Sequence, residues 1–204
     1  MVEAGQFTAA ASSPAPSVLR AMSPLDGRYA SAAGVTLSPI APRTRLALRV
    51  GEGDLAGVES ALGFALPRRP KMVTGEGAVS ALWLGPDDWL LVDESEGRDP
   101  LAARPPLAER FDGVTAPFSL VDVTHRSVAI SLDGPAAEAV ISAGCAQDIR
   151  LPSFPVGSAT RTILTKADIV LWRRAEHRFE IACWRSFADY VWTLLAVAAR
   201  APAI

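Results

Sequence analysis

The hydrophobic pattern of the first half of the chain predicts a strand, a helix and a hairpin, in that order. Residues 45–50, RLALRV, alternate with the two-residue period of a half-buried strand. Apolar residues at helical spacing predict a helix over 55–62, which Asp54 could cap. Residues 81–84 and 89–93 flank Gly-Pro-Asp-Asp, four strong turn formers, and therefore predict a β-hairpin.

The second half repeats this order. Residues 127–132 predict a strand, and a proline suited to a first helical turn opens a predicted helix over 135–143. Residues 169–173 and 179–183 then flank a charged turn as a second hairpin. A Ser-x-x-Asp signal at 186–189 predicts the capped start of a last helix.

The two halves therefore look like copies of one unit. They share the order strand, helix, loop, hairpin, helix at an offset of about 80 to 90 residues, which is too long for a solenoid repeat. Trp83 in the first hairpin corresponds to Trp172 in the second. The pattern predicts an α+β fold with two pseudo-symmetric βαββα-like (ferredoxin-like) halves, over about 43–124 and 125–200.

Proline affects three segments outside these elements. Residues 1–22 are rich in Ala, Ser and Pro, and we expect a flexible tail there. The prolines of residues 23–42 are expected to keep this arm irregular, although its apolar residues could lie along a surface of this chain or of a partner. A Pro-Pro pair at 105–106 indicates that the second helix of the first half has degenerated.

Composition narrows the classes of function. The chain has 204 residues, half of them hydrophobic, and a formal net charge of −2, which argues against a nucleic-acid or anionic-membrane surface. No stretch reaches the roughly 18 to 20 apolar residues of a membrane span, and no secretory signal is recognisable, so we expect a cytoplasmic protein. Cys145 and Cys183 lack metal or disulfide spacing and are predicted to be small buried residues.

The densest polar group in an apolar context lies where the halves join, in Asp122-Val-Thr-His125-Arg126. His125 could act as a general base and Arg126 as a clamp for a carboxylate or phosphate. Alternatively, Asp122, His125 and Arg126 form a hydrogen-bonded cluster that fastens the halves together. The chain has no Gly-x-Gly-x-x-Gly or P-loop motif, and the structural interpretation is favoured.

Arg185 and Trp192 are candidate docking residues, because Arg and Trp are favoured at the centres of interfaces. The helical angle places Trp192 away from the apolar face of the last predicted helix, which is formed by Phe187, Tyr190, Val191, Leu194, Leu195 and Ala198. The alternative is that Trp192 lies at the edge of the core of its own chain.

Four blocks, which cover most of the chain from about Ser23 onward, resemble the gamma subunit of heterotetrameric bacterial sarcosine oxidase. They occur in the order of that subunit: LGPDDWLLV, DVTHRSVAISLDGPAAEAVISAGCAQDI, LPSFPVGSATRTILTKADIVLWR and FEIACWRSFADYVWTLLAVA. The resemblance implies a fold similar to the folate-binding domain of the glycine-cleavage aminomethyltransferase.

The resemblance also implies a role within a complex of alpha, beta, gamma and delta subunits. That complex converts sarcosine to glycine with FAD, covalently attached FMN and NAD, and passes the one-carbon unit to tetrahydrofolate. These cofactors are expected in the partner subunits, with zinc in delta, and the main partner is expected to be alpha. No catalytic, cofactor-binding or metal-binding residue is assigned to this chain.

Two alternatives remain open. The chain could be a stand-alone tetrahydrofolate-binding protein or aminomethyltransferase-like enzyme, with His125 and Arg126 lining a cleft. It could also serve a related complex that oxidises another N-methyl amino acid, such as N-methylglutamate.

Overall fold

The computed structural model describes residues 22–32, 34–95 and 106–201, so that the predicted tail lies almost wholly outside the described residues. Eleven strands and four helices follow one another in these ranges. In chain order they are β1 (Ala30–Ala32), β2 (Val35–Ile40), β3 (Thr44–Val50), α1 (Leu55–Leu62), β4 (Val73–Glu76), β5 (Val79–Gly85), β6 (Asp88–Asp93), α2 (Pro106–Glu109), β7 (Phe118–Asp122), β8 (Ser127–Asp133), α3 (Ala137–Ser142), β9 (Ala159–Leu164), β10 (Ala167–Ala175), β11 (Arg178–Trp184) and α4 (Ala188–Ala199).

The strands form two antiparallel sheets with the same internal order. The first sheet runs β4-β5-β6-β3-β7, and the second runs β1-β2-β8-β11-β10-β9. Four strands of each sheet correspond: β4, β5, β6 and β3 of the first sheet lie in the same order as β9, β10, β11 and β8 of the second. The predicted mixed fold with two pseudo-symmetric halves is confirmed, and both predicted hairpins are present as β5–β6 and β10–β11. Each half nevertheless has a strand that the predicted βαββα unit lacks, because β4 or β9 precedes its hairpin. The sequence of β4, VTGE, has too few apolar residues to indicate a strand.

The chain passes between the sheets at both ends of the first half. β2 directly precedes the first half but pairs with β8 of the second sheet. β7, the last strand of the first half, pairs with β3 of the first sheet, and the next strand, β8, lies in the second sheet. The second sheet is therefore built from strands on both sides of the first half in sequence, so the two halves are interlocked.

The expectation that residues 23–42 are irregular is wrong. β2 pairs with β8 over five residues, including Pro39 opposite Ile130. Proline is accepted there because β1 does not reach that position, so no neighbouring strand on that side needs its missing N–H. The arm also contacts the turn before α3, where a Cβ at Gly134 would lie 2.3 Å from the Gly34 carbonyl oxygen.

Four layers result: helices, sheet, sheet, helices. α1 and α2 cover the outer face of the first sheet, and α3 and α4 cover that of the second. The inner faces meet in a third apolar cluster formed by Leu82, Leu90, Val92, Val123, Ala159 and Trp172. Strand β6 is consequently buried on both faces.

Neither predicted side-chain cap is formed. Asp54 lies in a 3-10 turn before α1, and its side chain makes no capping hydrogen bond. Ser186 also lies in a 3-10 turn, so α4 begins two residues later without a side-chain cap. The carboxylate of the predicted box, Asp189, instead forms an ion pair with Arg28 of the arm.

Candidate functional site

The junction between the halves is held by backbone groups and one threonine. The Val123 N–H donates to the Arg45 carbonyl oxygen at 2.9 Å. The Arg45 N–H donates to Thr124 Oγ1 at 2.9 Å, and Thr124 is buried. The Thr124 N–H in turn donates to Asp122 Oδ1 at 2.8 Å, which closes a turn that the short side chain of aspartate favours.

His125 and Arg126 do not belong to this joint. Both lie in a one-turn 3-10 helix and are exposed. Within the part of the chain that the structure describes, neither side chain has a hydrogen-bonding partner. Arg126 instead places its guanidinium 5.7 Å from the ring centre of Trp184, a cation–π contact. The hydrogen-bonded cluster therefore lies at the predicted place and includes Asp122, but the prediction was wrong for His125 and Arg126.

A buried ionic cluster lies between the two sheets. Arg45 on β3 and Glu180 on β11 expose 2% and 4% of their surfaces, and Arg45 Nη2 lies 3.4 Å from Glu180 Oε1. Arg43 Nη1 lies 3.1 Å from Glu180 Oε2 and also pairs with Glu94. Arg174 Nη2 donates to Glu94 Oε2 at 2.8 Å. Sequence reasoning missed this cluster, because Arg45 and Glu180 look like polar residues on the solvent faces of two strands that are distant in sequence.

Burial and pairing oppose one another within the cluster. Burial lowers the pKa of the Arg45 guanidinium, and the charge of Glu180 partly offsets this effect. Burial would raise the pKa of Glu94, but the hydrogen bond from Arg174 and the charge of Arg43 outweigh it, so this pKa is lowered. Among the residues that the structure describes, Arg45 Nε and Glu180 Oε2 have no hydrogen-bond partner. The cluster is thus closely balanced, and removing one charge leaves another buried and unpaired.

Two cavities flank the junction and separate the two candidate residues. Arg126 lies at the rim of a cleft of about 340 Å³ between the sheets, which we call the Trp184 cleft. Its floor is apolar, with Leu84, Leu90 and Val170. His125 lines a pocket of only about 30 Å³ on the other side. The two side chains therefore do not line one cleft, as a shared catalytic or folate-binding role would require.

The structure places the two candidate docking residues differently. Arg185 is exposed and donates from Nη2 to the Met22 carbonyl oxygen at 2.9 Å. The prediction that Trp192 lies off the apolar face is wrong, because it exposes only 7% and packs in the core of the second half. The exposed indole is Trp184, at 48%. Its position opposite the buried Cys183 on β11 was the available signal.

Both cysteines are free and buried, as predicted. Burial raises the pKa of the Cys183 thiol to about 11, against a weaker lowering effect of Arg45, so this thiol is protonated at neutral pH.

No group of three or more potential metal ligands occurs within 22–32, 34–95 and 106–201. No helix among these residues is long and apolar enough to cross a membrane.

Comparison with known structures supports the fold. The chain is similar to the heterotetrameric sarcosine oxidase from Corynebacterium sp. U-96, with a TM-score of 0.74 and 30% identity over 83% of this chain and 87% of that chain. It is also similar to the glycine cleavage system aminomethyltransferase T from Bartonella henselae, with a TM-score of 0.59 and 18% identity over 82% of this chain and 49% of that one. The second likeness concerns the fold alone.

Comparison of sequences gives the same relationship. The gamma subunit of sarcosine oxidase from Corynebacterium sp. strain P-1 is 31% identical over 91% of this chain and 88% of that protein. The gamma subunit from strain U-96 is 31% identical over 76% of this chain and 75% of that protein. The model of the sarcosine oxidase, gamma subunit family matches residues 52–201. The chain belongs to the sarcosine oxidase gamma subunit family.

Proposed function

We propose that this chain is the accessory gamma-type subunit of a heterotetrameric, flavin-dependent sarcosine oxidase. The observation that carries this proposal is the likeness to a chain of such a complex over 83% of this chain and 87% of that one. Agreement over nearly the full length of both chains favours a shared role in assembly over a newly acquired activity. His125 and Arg126 line different cavities, which agrees with a role of this chain outside the chemical step.

In the proposed assembly, the partner subunits carry the chemistry. FAD, FMN, NAD and tetrahydrofolate bind to them, zinc binds to delta, and the main contact of this chain is with alpha. These assignments follow from the family resemblance. The complex oxidises sarcosine to glycine, and this chain holds no catalytic residue.

Co-purification tests the proposal. A tagged chain expressed in its native host is expected to recover a flavoprotein chain together with a second flavin-carrying chain. The recovered complex should oxidise sarcosine, whereas the chain purified alone should be colourless and inactive. A chain that binds flavin or oxidises sarcosine by itself would contradict an accessory role. Faster oxidation of N-methylglutamate than of sarcosine would assign the chain to a related complex.

A second candidate function, tetrahydrofolate binding by this chain alone, rests on the Trp184 cleft. Its volume of about 340 Å³ falls at the lower end of small-molecule sites, and Arg126 at the rim could meet a carboxylate. Calorimetry with tetrahydrofolate distinguishes the two functions. Saturable micromolar binding that Arg126→Ala abolishes would favour the second function, and absence of heat would favour the first.

A further inference from the structure

Trp184 is the exception among the five tryptophans. Trp89, Trp172 and Trp192 expose 1%, 6% and 7%, whereas Trp184 exposes 48%. It is the last residue of β11, and strand alternation turns its ring toward the inner side of the sheet, where the opposite sheet does not cover it. An indole that stays half exposed contributes only part of its possible hydrophobic stabilisation to folding. The exposed part of the ring is therefore available for association with a partner.

The ring forms a wall of the Trp184 cleft. The floor consists of Leu84 and Leu90 from the first sheet and Val170 and Ala182 from the second. The cleft therefore lies across both halves, with an apolar bottom that is wide enough for one or two inserted side chains. Its polar groups stand at the rim, so the site is suited to an apolar anchor surrounded by charged groups.

The rim is basic although the whole chain has a net charge of −2. Arg126 and Arg161 face one carboxylate, Asp168, around the cleft. Arg161 shares Asp88 with Arg49, so that two guanidinium groups compete for one carboxylate. Among the described residues, Arg126 has no carboxylate partner.

Arg185 carries a further positive charge near the cleft, on the side of the smaller pocket that His125 lines. It follows Trp184 directly, and its guanidinium donates to a neutral acceptor, the Met22 carbonyl oxygen. Its positive charge therefore also lacks a carboxylate partner within the described part of the chain. A surface of this kind attracts an acidic partner and orients it.

We propose that the Trp184 cleft receives an apolar side chain from an acidic segment of a partner subunit. This inference rests on the proposed function and adds the contact surface to it. The buried anchor would supply most of the affinity, and the arginines around it would exclude partners without acidic residues. A second copy of this chain fits less well, because its matching cleft would present the same basic rim.

Variants of the full chain, co-expressed with the partner subunits, test the inference. Trp184→Ala should weaken retention of the partner about tenfold or more, as expected for a central aromatic anchor. Trp184→Phe should restore most of the binding. Arg126→Glu should slow association and reduce its dependence on salt concentration. Matched controls are Val197→Ala, at an exposed apolar residue on α4, and Arg110→Glu, at an exposed arginine of the first half.

The outcomes separate the two proposals. If the wild type assembles and both Trp184→Ala and Arg126→Glu bind the partner as tightly as the controls, the cleft is not the docking site and the proposed function stands. If the wild type retains no partner, the proposed function fails and the inference fails with it. Self-association of the isolated chain that Trp184→Ala abolishes would assign the cleft to a second copy instead. Unchanged circular dichroism and melting temperature exclude misfolding, and Arg126→Glu tests the site if Trp184→Ala does not fold.

Discussion

The two halves share their strand order but differ in their helices. In the second half, α4 extends over twelve residues and buries Val191, Trp192 and Leu195 against its sheet. In the corresponding place of the first half, α2 has four residues and begins at a proline. A strand cannot be lost without leaving its neighbours unpaired, whereas an outer helix covers only its own sheet. The common arrangement is therefore kept in the paired strands, and the halves have diverged in the outer layers.

The largest expected effect comes from breaking the ionic contact between the halves. Glu180→Ala leaves Arg45 buried without its partner and should lower the free energy of unfolding by about 3–5 kcal/mol in urea denaturation. Glu176→Ala, at an exposed glutamate in the same hairpin, is the control and should change it by less than about 0.5 kcal/mol. Equal effects of the two variants would mean that the cluster does not hold the halves together.

The next largest effect is expected from shortening a buried leucine on each of the two unequal helices. Leu195 on α4 and Leu107 on α2 both expose 1%. Leu195→Ala should cost about 3–4 kcal/mol, and Leu107→Ala about 2–3 kcal/mol, because the four-residue helix can move to fill part of its cavity. Both should shift one cooperative transition, since the halves are interlocked. A separate early transition in Leu107→Ala would show that the first half unfolds on its own.

A smaller effect separates the two sides of the junction. Thr124→Val removes the acceptor of the buried Arg45 N–H and should cost about 1–2 kcal/mol. His125→Ala, one residue away on the surface, should change stability by less than about 0.5 kcal/mol. Thermal melts of the two variants measure this difference. A larger loss of stability in His125→Ala than in Thr124→Val would show that the histidine helps to hold the halves together.

The smallest effect concerns acidity. The pKa of Glu94 in the folded chain lies below its ordinary value of 4.5, so its ion pairs stabilise the fold fully above that pH. This contribution is lost as the pH falls from about 4.5 through the lower folded pKa. Melting temperatures between pH 7 and pH 3 should therefore fall less steeply for Glu94→Gln than for the wild type. Parallel curves would show that the carboxylate contributes nothing to joining the halves.

The parts of the fold that depend on local signals were predictable. The Gly-Pro-Asp-Asp turn fixes the first hairpin through residues that are adjacent in the chain, and the helix over Leu55–Leu62 has the predicted bounds. β2 was not predictable in this way, because its partner β8 is distant in sequence and Pro39 argues against a strand.

The site was predictable only in its location. The sequence marked residues 122–126 as the junction, but exposure decided which side chains act there. Glu180 and Trp184 lie on the same face of β11, and the alternation of that strand assigns both to the polar side. Stacking of the two sheets buries Glu180 and leaves Trp184 uncovered at the end of the strand. This difference arises from tertiary packing, which no local pattern encodes.

The pairing of β2 with β8 has a consequence for the order in which the chain can fold during synthesis. Thr36 in β2 bonds to the Asp133 carbonyl oxygen, 97 residues later. At about 5–20 residues per second, the ribosome needs roughly 5 to 20 s to supply that partner. Until then, β2 lacks its neighbour β8, and only the short strand β1 pairs with it. The second sheet therefore forms late in translation, and a chain interrupted before β8 leaves one edge of β2 open for other polypeptides to bind.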